Sequence, residues 1–70
     1  MAYLACDKDG TETIYFRKPF RGGKKYHDGL WLPSVYERDE QTYINLPPGS
    51  ISKLIGRELT WEDEPVELKD

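Results

Sequence analysis

Cys6, His27 and Asp28 are the residues whose types could support nucleophilic catalysis. A thiol, an imidazole and a carboxylate can act as nucleophile, base and orienting group, but such sets are recognised by geometry, and no motif links these three. One cysteine and one histidine also fall short of the four ligands of a structural zinc site. We therefore expect Cys6 to be a buried apolar residue of the first strand and His27 a solvated loop residue.

Three other segments fail as chemical sites. Residues 7–10 read Asp-Lys-Asp-Gly, but a calcium loop built on Gly10 would place Ala5 and Phe16 where an Asp and a bidentate Glu are required. The glycine pair at 22–23 fits no phosphate-binding motif, and the acidic run 62–64 is typical of a solvated surface. The sequence therefore predicts no catalytic, cofactor-binding or metal-binding residue, and no cofactor.

The size of the chain limits what it could do. Seventy residues, of which 37% are hydrophobic, predict a single small domain over residues 1–70 with a thin core. A chain of this length buries only about 60% of the surface that its unfolded form exposes, so a large enclosed pocket would compete with the core. We therefore expect a non-enzymatic protein with no small-molecule substrate.

The cysteine count and the apolar runs bear on location. A lone cysteine cannot form an intramolecular disulfide, whereas small secreted domains usually carry several. The longest apolar run, residues 1–6, is too short for a signal peptide or a membrane helix. These features predict a cytoplasmic protein that makes no contact with membranes.

The charges are distributed unevenly along the chain. No acid lies between Glu12 and Asp28, whereas acids outnumber the one base from Glu58 onward, so the net charge of −3 conceals a basic segment and an acidic one. The basic segment interleaves its cations with Phe16, Phe20 and Tyr26. We expect residues 17–27 and the adjacent sheet face to bind a protein partner, through Tyr15, Arg17, Lys18, Phe20, Arg21, Lys24, Lys25 and Tyr26.

Two alternatives for the basic segment remain open. Single-stranded nucleic acid is bound by cations that follow the phosphates and rings that stack on the bases, so the same residues could form a weak binding site for it. The segment could also pair with the acidic C-terminal segment, or remain solvated.

The N-terminal half predicts a hairpin followed by a loop. Residues 1–18 alternate as two strands around an Asp9-Gly10 turn, because glycine accepts the positive φ of a tight connection. Ile14 and Phe16 share one strand face, so Tyr15 on the other is expected to be partly exposed. Proline and glycine interrupt residues 17–33, which predicts a mobile loop without regular pairing, apart from an apolar anchor at 30–32.

The C-terminal half predicts two further strand regions and a helix. Residues 34–38 and 42–46 would form a second hairpin, and residues 51–55 a short helix ended by Gly56. Residues 57–62 alternate with Leu59 and Trp61 on one face, and residues 61–68 resemble an edge strand blunted by charge and Pro65.

The predicted fold is α+β: a mainly antiparallel sheet or small open barrel of 4–5 short strands with one short helix. Its expected core is Leu4, Ile14, Phe16, Ile44, Leu46, Ile51, Leu54, Ile55, Leu59 and Trp61.

The run at 46–68, LPPGSISKLIGRELTWEDEPVEL, resembles small bacterial proteins of the kind encoded in prophage or mobile-element neighbourhoods. The resemblance covers about a third of the chain and leaves out the basic segment. It implies no activity and no functional residues, and it favours a small non-enzymatic protein.

Overall fold

The computed structural model describes residues 2–23, 25, 27–33 and 42–69. Four strands form an antiparallel sheet in the order β5-β2-β1-β6, and two more form a separate antiparallel ribbon, β3-β4. The fold is therefore α+β and mainly antiparallel, as predicted. The elements are β1 Ala2–Cys6, β2 Glu12–Tyr15, β3 Phe20–Arg21, β4 Trp31–Leu32, β5 Tyr43–Leu46, α1 Ser50–Ile55 and β6 Val66–Leu68.

The first hairpin forms around the predicted turn. Gly10 has a φ of 93° and donates its N–H to the carbonyl of Asp7, while the N–H of Asp7 bonds to the carbonyl of Thr11. Asp9 accepts a hydrogen bond from the N–H of Thr11 at 2.9 Å, which fixes the far side of the turn. The turn brings Leu4 opposite Ile14 in the sheet.

The sheet buries residues on both of its faces. On one face, α1 and the segment after it cover a helix-side core of Leu4, Cys6, Ile51 and Leu59. On the other, the ribbon covers a ribbon-side core of Ala5, Tyr15 and Trp31, against which Tyr3 and Trp61 pack. The thin core predicted from composition is thus divided between two layers.

The N-terminus of helix α1 is capped by Glu12, a residue of strand β2. The preceding residue, Gly49, offers no side-chain cap, and the carboxylate of Glu12 accepts the backbone N–H groups of Gly49 and Ile51, each at 2.7 Å. At the other end Gly56 adopts a φ of 77° and returns its N–H to Ser52. The predicted helix and its glycine stop are therefore confirmed.

The prediction that residues 17–33 contain no regular pairing is wrong. Phe20 pairs with Leu32 and Arg21 with Trp31, so the apolar anchor at 30–32 forms one strand of the ribbon. Gly22 permits the close approach of His27 to the ribbon, since a Cβ at position 22 would lie 2.0 Å from the carbonyl oxygen of His27. The mobility of the segment stays a prediction.

Only one strand of the second predicted hairpin falls within the described residues. Residues 34–38 lie outside the described residues, while β5 pairs with β2, in the register Ile14 opposite Ile44. In the chain, β2 precedes β5 by about thirty residues. The pairing of residues 34–38 with 42–46 stays a prediction.

Residues 57–62 form no strand, and Leu59 and Trp61 lie on opposite sides of the molecule. Leu59 belongs to the helix-side core and Trp61 packs against the ribbon-side core. Trp61 lies within a turn at 60–63, in which the Asp63 carboxylate accepts the N–H of Thr60 at 2.8 Å. The edge strand is confirmed over the shorter span of β6.

Three predicted core residues, Phe16, Ile44 and Leu54, are exposed instead. Helix α1 has six residues, a length of about 9 Å, so it covers only part of one sheet face. Phe16 and Ile44 lie beyond that cover, on the β2–β5 side of the sheet. Leu54 belongs to the helix surface that faces solvent.

Candidate interaction site

Trp31 fixes the ribbon to the sheet through three hydrogen bonds. Its backbone N–H donates to Asp7 Oδ1 at 2.8 Å and its indole Nε1 donates to the carbonyl of Cys6 at 3.0 Å. Its carbonyl accepts the hydroxyl of Tyr15 at 3.1 Å. Burial raises the pKa of the Asp7 carboxyl, and the hydrogen bond from Trp31 opposes that shift.

The expectation that Tyr15 is partly exposed is wrong, since only 3% of it is accessible. Alternation correctly separates it from Ile14, but the ribbon covers the face on which it lies. Its hydroxyl bonds to the ribbon, so Tyr15 supports the surface from beneath rather than forming its outer layer.

Arg21 joins the basic segment to the acidic C-terminal one. Its guanidinium carbon lies 4.6 Å from the ring centroid of Trp31 and 4.8 Å from that of Trp61. The same group donates to the carbonyl oxygens of Trp61 and Asp63 and lies 4.0 Å from the carboxylate of exposed Glu64. For this residue, pairing within the molecule is the alternative that the structure bears out.

The other described cations of the basic segment remain at the surface. Arg17, Lys18 and Lys25 are exposed, while Lys24 and Tyr26 lie outside the described residues. Successive side chains of a strand point to opposite sides, so with Arg21 directed at the two tryptophans its neighbour Phe20 faces outward. Phe20 is 49% exposed. The structure thus leaves one ring and three cations of this segment exposed to solvent.

A groove of about 280 Å³ lies beside Tyr15, between the ribbon and β5. Its lining includes Leu30 to Pro33 on one side and Tyr43 and Asn45 on the other. The Tyr15 and Tyr43 rings lie 5.9 Å apart at its floor, and Thr13 donates its hydroxyl to the Asn45 side chain at 3.1 Å. The groove therefore offers both ring surface and polar groups to a ligand.

The thiol of Cys6 lies in an environment that disfavours nucleophilic chemistry. Burial raises its pKa, and the negative charge of Glu12 adds to the effect, so the unreactive thiol form is favoured. A cavity of about 200 Å³ adjoins it, lined partly by Glu12, Ser52 and Leu59. Cys6 is buried as predicted, while His27 is exposed. Across the described ranges, no cluster of three or more His, Cys, Asp or Glu side chains is arranged to hold a metal ion.

Trp61 and Asp63 take part in the site although the sequence interpretation assigned them to an edge strand. Trp61 stacks on Arg21, and its ring lies 5.5 Å from Trp31 in an edge-to-face arrangement. The available signal was a tryptophan at the start of an acidic run, together with a single tryptophan in the basic half of the chain. Those two rings are the only tryptophans in the sequence, and one cation lies between them.

Comparison with family models, with curated proteins and with solved structures gave no match to this chain. The resemblance of residues 46–68 to prophage-type proteins gains no support from them and stays a prediction. Within the part of the chain that the structure describes, no helix has the length and apolar character needed to cross a membrane.

Proposed function

We propose that this chain is a small non-enzymatic interaction module that acts in the cytoplasm and binds a protein partner. The contact surface is formed by exposed Phe20 of the ribbon together with Arg17, Lys18 and Lys25, the exposed cations of the same segment. The groove beside Tyr15 extends this surface onto the sheet.

The observation that carries the proposal is the exposure of Phe20. Burying an aromatic side chain stabilises a thin core, so a ring left 49% exposed on a strand offers apolar area that a partner can cover. Aromatic residues and arginine are enriched where protein interfaces are most stabilising. Arg21 is not part of the proposed contact surface, because its guanidinium already stacks on the rings of Trp31 and Trp61.

A capture experiment from the native host's extract tests this proposal. The full chain should retain a specific partner, and Phe20→Ala should lose it without loss of folding, since the ring is half exposed. Leu54→Ala is the matched control, because Leu54 is a similarly exposed apolar residue on α1. Equal retention by Phe20→Ala and the unchanged chain would contradict the proposal.

Binding of single-stranded nucleic acid is the second candidate, favoured by the exposed Phe16 and Phe20 rings beside Arg17 and Lys18. Each protein cation that neutralises a phosphate would release a counterion and contribute about −0.7 to the slope of log affinity against log salt concentration. Arg21 would add nothing, because it is held within the molecule. In a titration of a fluorescent single-stranded oligonucleotide at low salt, the double variant Arg17→Ala with Lys18→Ala should bind with lower affinity than the unchanged chain. Lys53→Ala with Arg57→Ala removes the same charge elsewhere and should have little effect; no binding at low salt rejects this candidate.

A further inference from the structure

The two edges of the sheet differ in how they are protected. Edge strand β6 follows Pro65 and carries Glu67, and Lys69 lies directly after it. Charges and proline at an edge discourage pairing with another chain. The opposite edge, β5, reads Tyr-Ile-Asn-Leu and contains neither a charge nor a proline.

Strand β5 also presents its side chains to solvent. Among the described residues its neighbour in the sheet is β2 alone. Tyr43 is 41% and Ile44 42% exposed, and Asn45 is exposed as well. An apolar, uncharged and exposed edge of this kind is a template for a further strand.

The register identifies which backbone groups of β5 face outward. Phe16 donates its N–H to the carbonyl of Thr42, and hydrogen-bonded positions alternate along an antiparallel pair. With Ile14 opposite Ile44, the backbone groups of Ile44 therefore point toward β2. Those of Tyr43 and Asn45 point to the opposite edge, along which no other described strand pairs.

This spacing is self-complementary. If two copies of β5 meet in antiparallel orientation around a two-fold axis at Ile44, Tyr43 of each copy lies opposite Asn45 of the other. Each of these two pairs exchanges both N–H to carbonyl bonds, which makes four bonds across the axis. Ile44 then meets its own copy at the closer, non-hydrogen-bonded position, on the sheet face that also exposes Phe16.

We propose that β5 is a self-association edge, through which two copies of this chain pair antiparallel about Ile44 into one continuous eight-stranded sheet. The acidic C-terminal strands lie at the two outer ends of that sheet, so the like charges of the copies stay apart. The proposal does not rest on Phe20 or the cations of the ribbon, although Tyr43 and Asn45 of β5 also line the groove beside Tyr15. A strand pair of this length gives a small interface and hence a weak, concentration-dependent dimer.

Sedimentation velocity of the full chain tests the association. The average mass should rise toward that of a dimer between about 10 µM and about 1 mM, the range of weak complexes. Ile44→Lys or Ile44→Glu alone should weaken dimerisation at least tenfold, since like charges would meet at the axis. A mixture of the two variants should restore it. Leu54→Lys, which adds the same charge at another exposed apolar position, should dimerise like the unchanged chain.

Cysteine cross-linking tests the register. The Cα atoms of residue 44 in the two copies would lie about 4.5 Å apart, within the range of a disulfide, so Ile44→Cys should form linked dimers on mild oxidation. Asn45→Cys alone should not, because residue 45 faces residue 43 of the other copy, whereas a mixture of Tyr43→Cys and Asn45→Cys should. A chain that stays monomeric throughout, equal losses for Ile44→Lys and Leu54→Lys, or efficient linking of Asn45→Cys to itself would each overturn the proposal.

Discussion

The guanidinium of Arg21 lies 4.8 Å from the ring centroid of Trp61, a residue forty positions further along the chain. Through this contact the ribbon and the acidic C-terminal segment stabilise each other. Arg21 also donates to two carbonyl oxygens, a geometry that the single ammonium of lysine does not reproduce.

A double-mutant cycle between Arg21 and Trp61 should show coupling. Arg21→Met and Trp61→Leu should each lower the free energy of unfolding, and the double variant should lose about 0.5–2 kcal/mol less than the sum of the two single losses, because each substitution removes the same cation–π contact. Urea denaturation measures all four proteins. Glu64→Gln is the comparison: its ion pair is long and exposed, so its loss should cost at most about 0.5 kcal/mol. Simple additivity would show that the stacking contributes nothing of its own.

Glu12→Gln should destabilise the protein by about 1–2 kcal/mol, with a loss of helical signal in circular dichroism. The carboxylate accepts two backbone N–H groups at the start of α1, and an amide offers one acceptor without the charge. Glu58→Gln, at an exposed carboxylate near the same cavity, should change the free energy of unfolding by less than about 0.5 kcal/mol. Equal effects of the two substitutions would argue against the cap.

Asp7 and Asp9 should give opposite pH dependences. Burial raises the pKa of Asp7, so the folded protein binds more protons there than the unfolded chain, and the group's contribution to stability falls as pH rises through its pKa. Hydrogen bonds from Thr11 lower the pKa of Asp9, whose contribution is present above the ordinary pKa and lost as pH falls.

As pH rises from about 3 to about 6, the free energy of unfolding of Asp7→Asn should therefore increase relative to that of the unchanged protein, and that of Asp9→Asn should decrease relative to it. Urea midpoints at several pH values measure both trends. The amide at position 7 still offers an oxygen to the Trp31 N–H, which preserves the local contact. Parallel trends for the two variants would contradict the assignment.

Gly22→Ala should disturb the ribbon. A Cβ at this position would lie 2.0 Å from a backbone oxygen of His27, so the chain must move, at a cost of about 1–3 kcal/mol. Near-ultraviolet circular dichroism of the packed Trp31 and Trp61 rings reports the movement, and thermal unfolding reports the loss of stability. Phe20→Ala, a change in the same ribbon at an exposed side chain, should leave both nearly unchanged.

Features carried by neighbouring residues were predictable from the sequence. The Gly10 turn, the helix ending at Gly56 and the edge strand near Pro65 each depend on the conformational preferences of a few adjacent residues. Alternation also placed Ile14 and Tyr15 on opposite sheet faces, as the two cores show.

Features set by distant packing were not predictable. Alternation identifies which residues share a face but not whether that face is covered, so burial of Tyr15 depended on a ribbon whose pairing has no local signal. The Arg21 contact and the Glu12 cap likewise join positions about forty residues apart, and one sequence contains nothing that selects those partners from other acids and rings.

The strand order has a consequence for how the chain acquires its structure. β1 lies between β2 and β6, so this inner strand of the sheet completes its pairing only when residues near 68 are available. The six-residue helix is too short to persist alone and depends on Glu12 of β2 for its first turn. The pairing of β1 with β6 and the capping of α1 by Glu12 both join distant parts of the chain. Folds with such a high contact order form slowly for their size. During ribosomal synthesis, the sheet can close only after β6 has emerged.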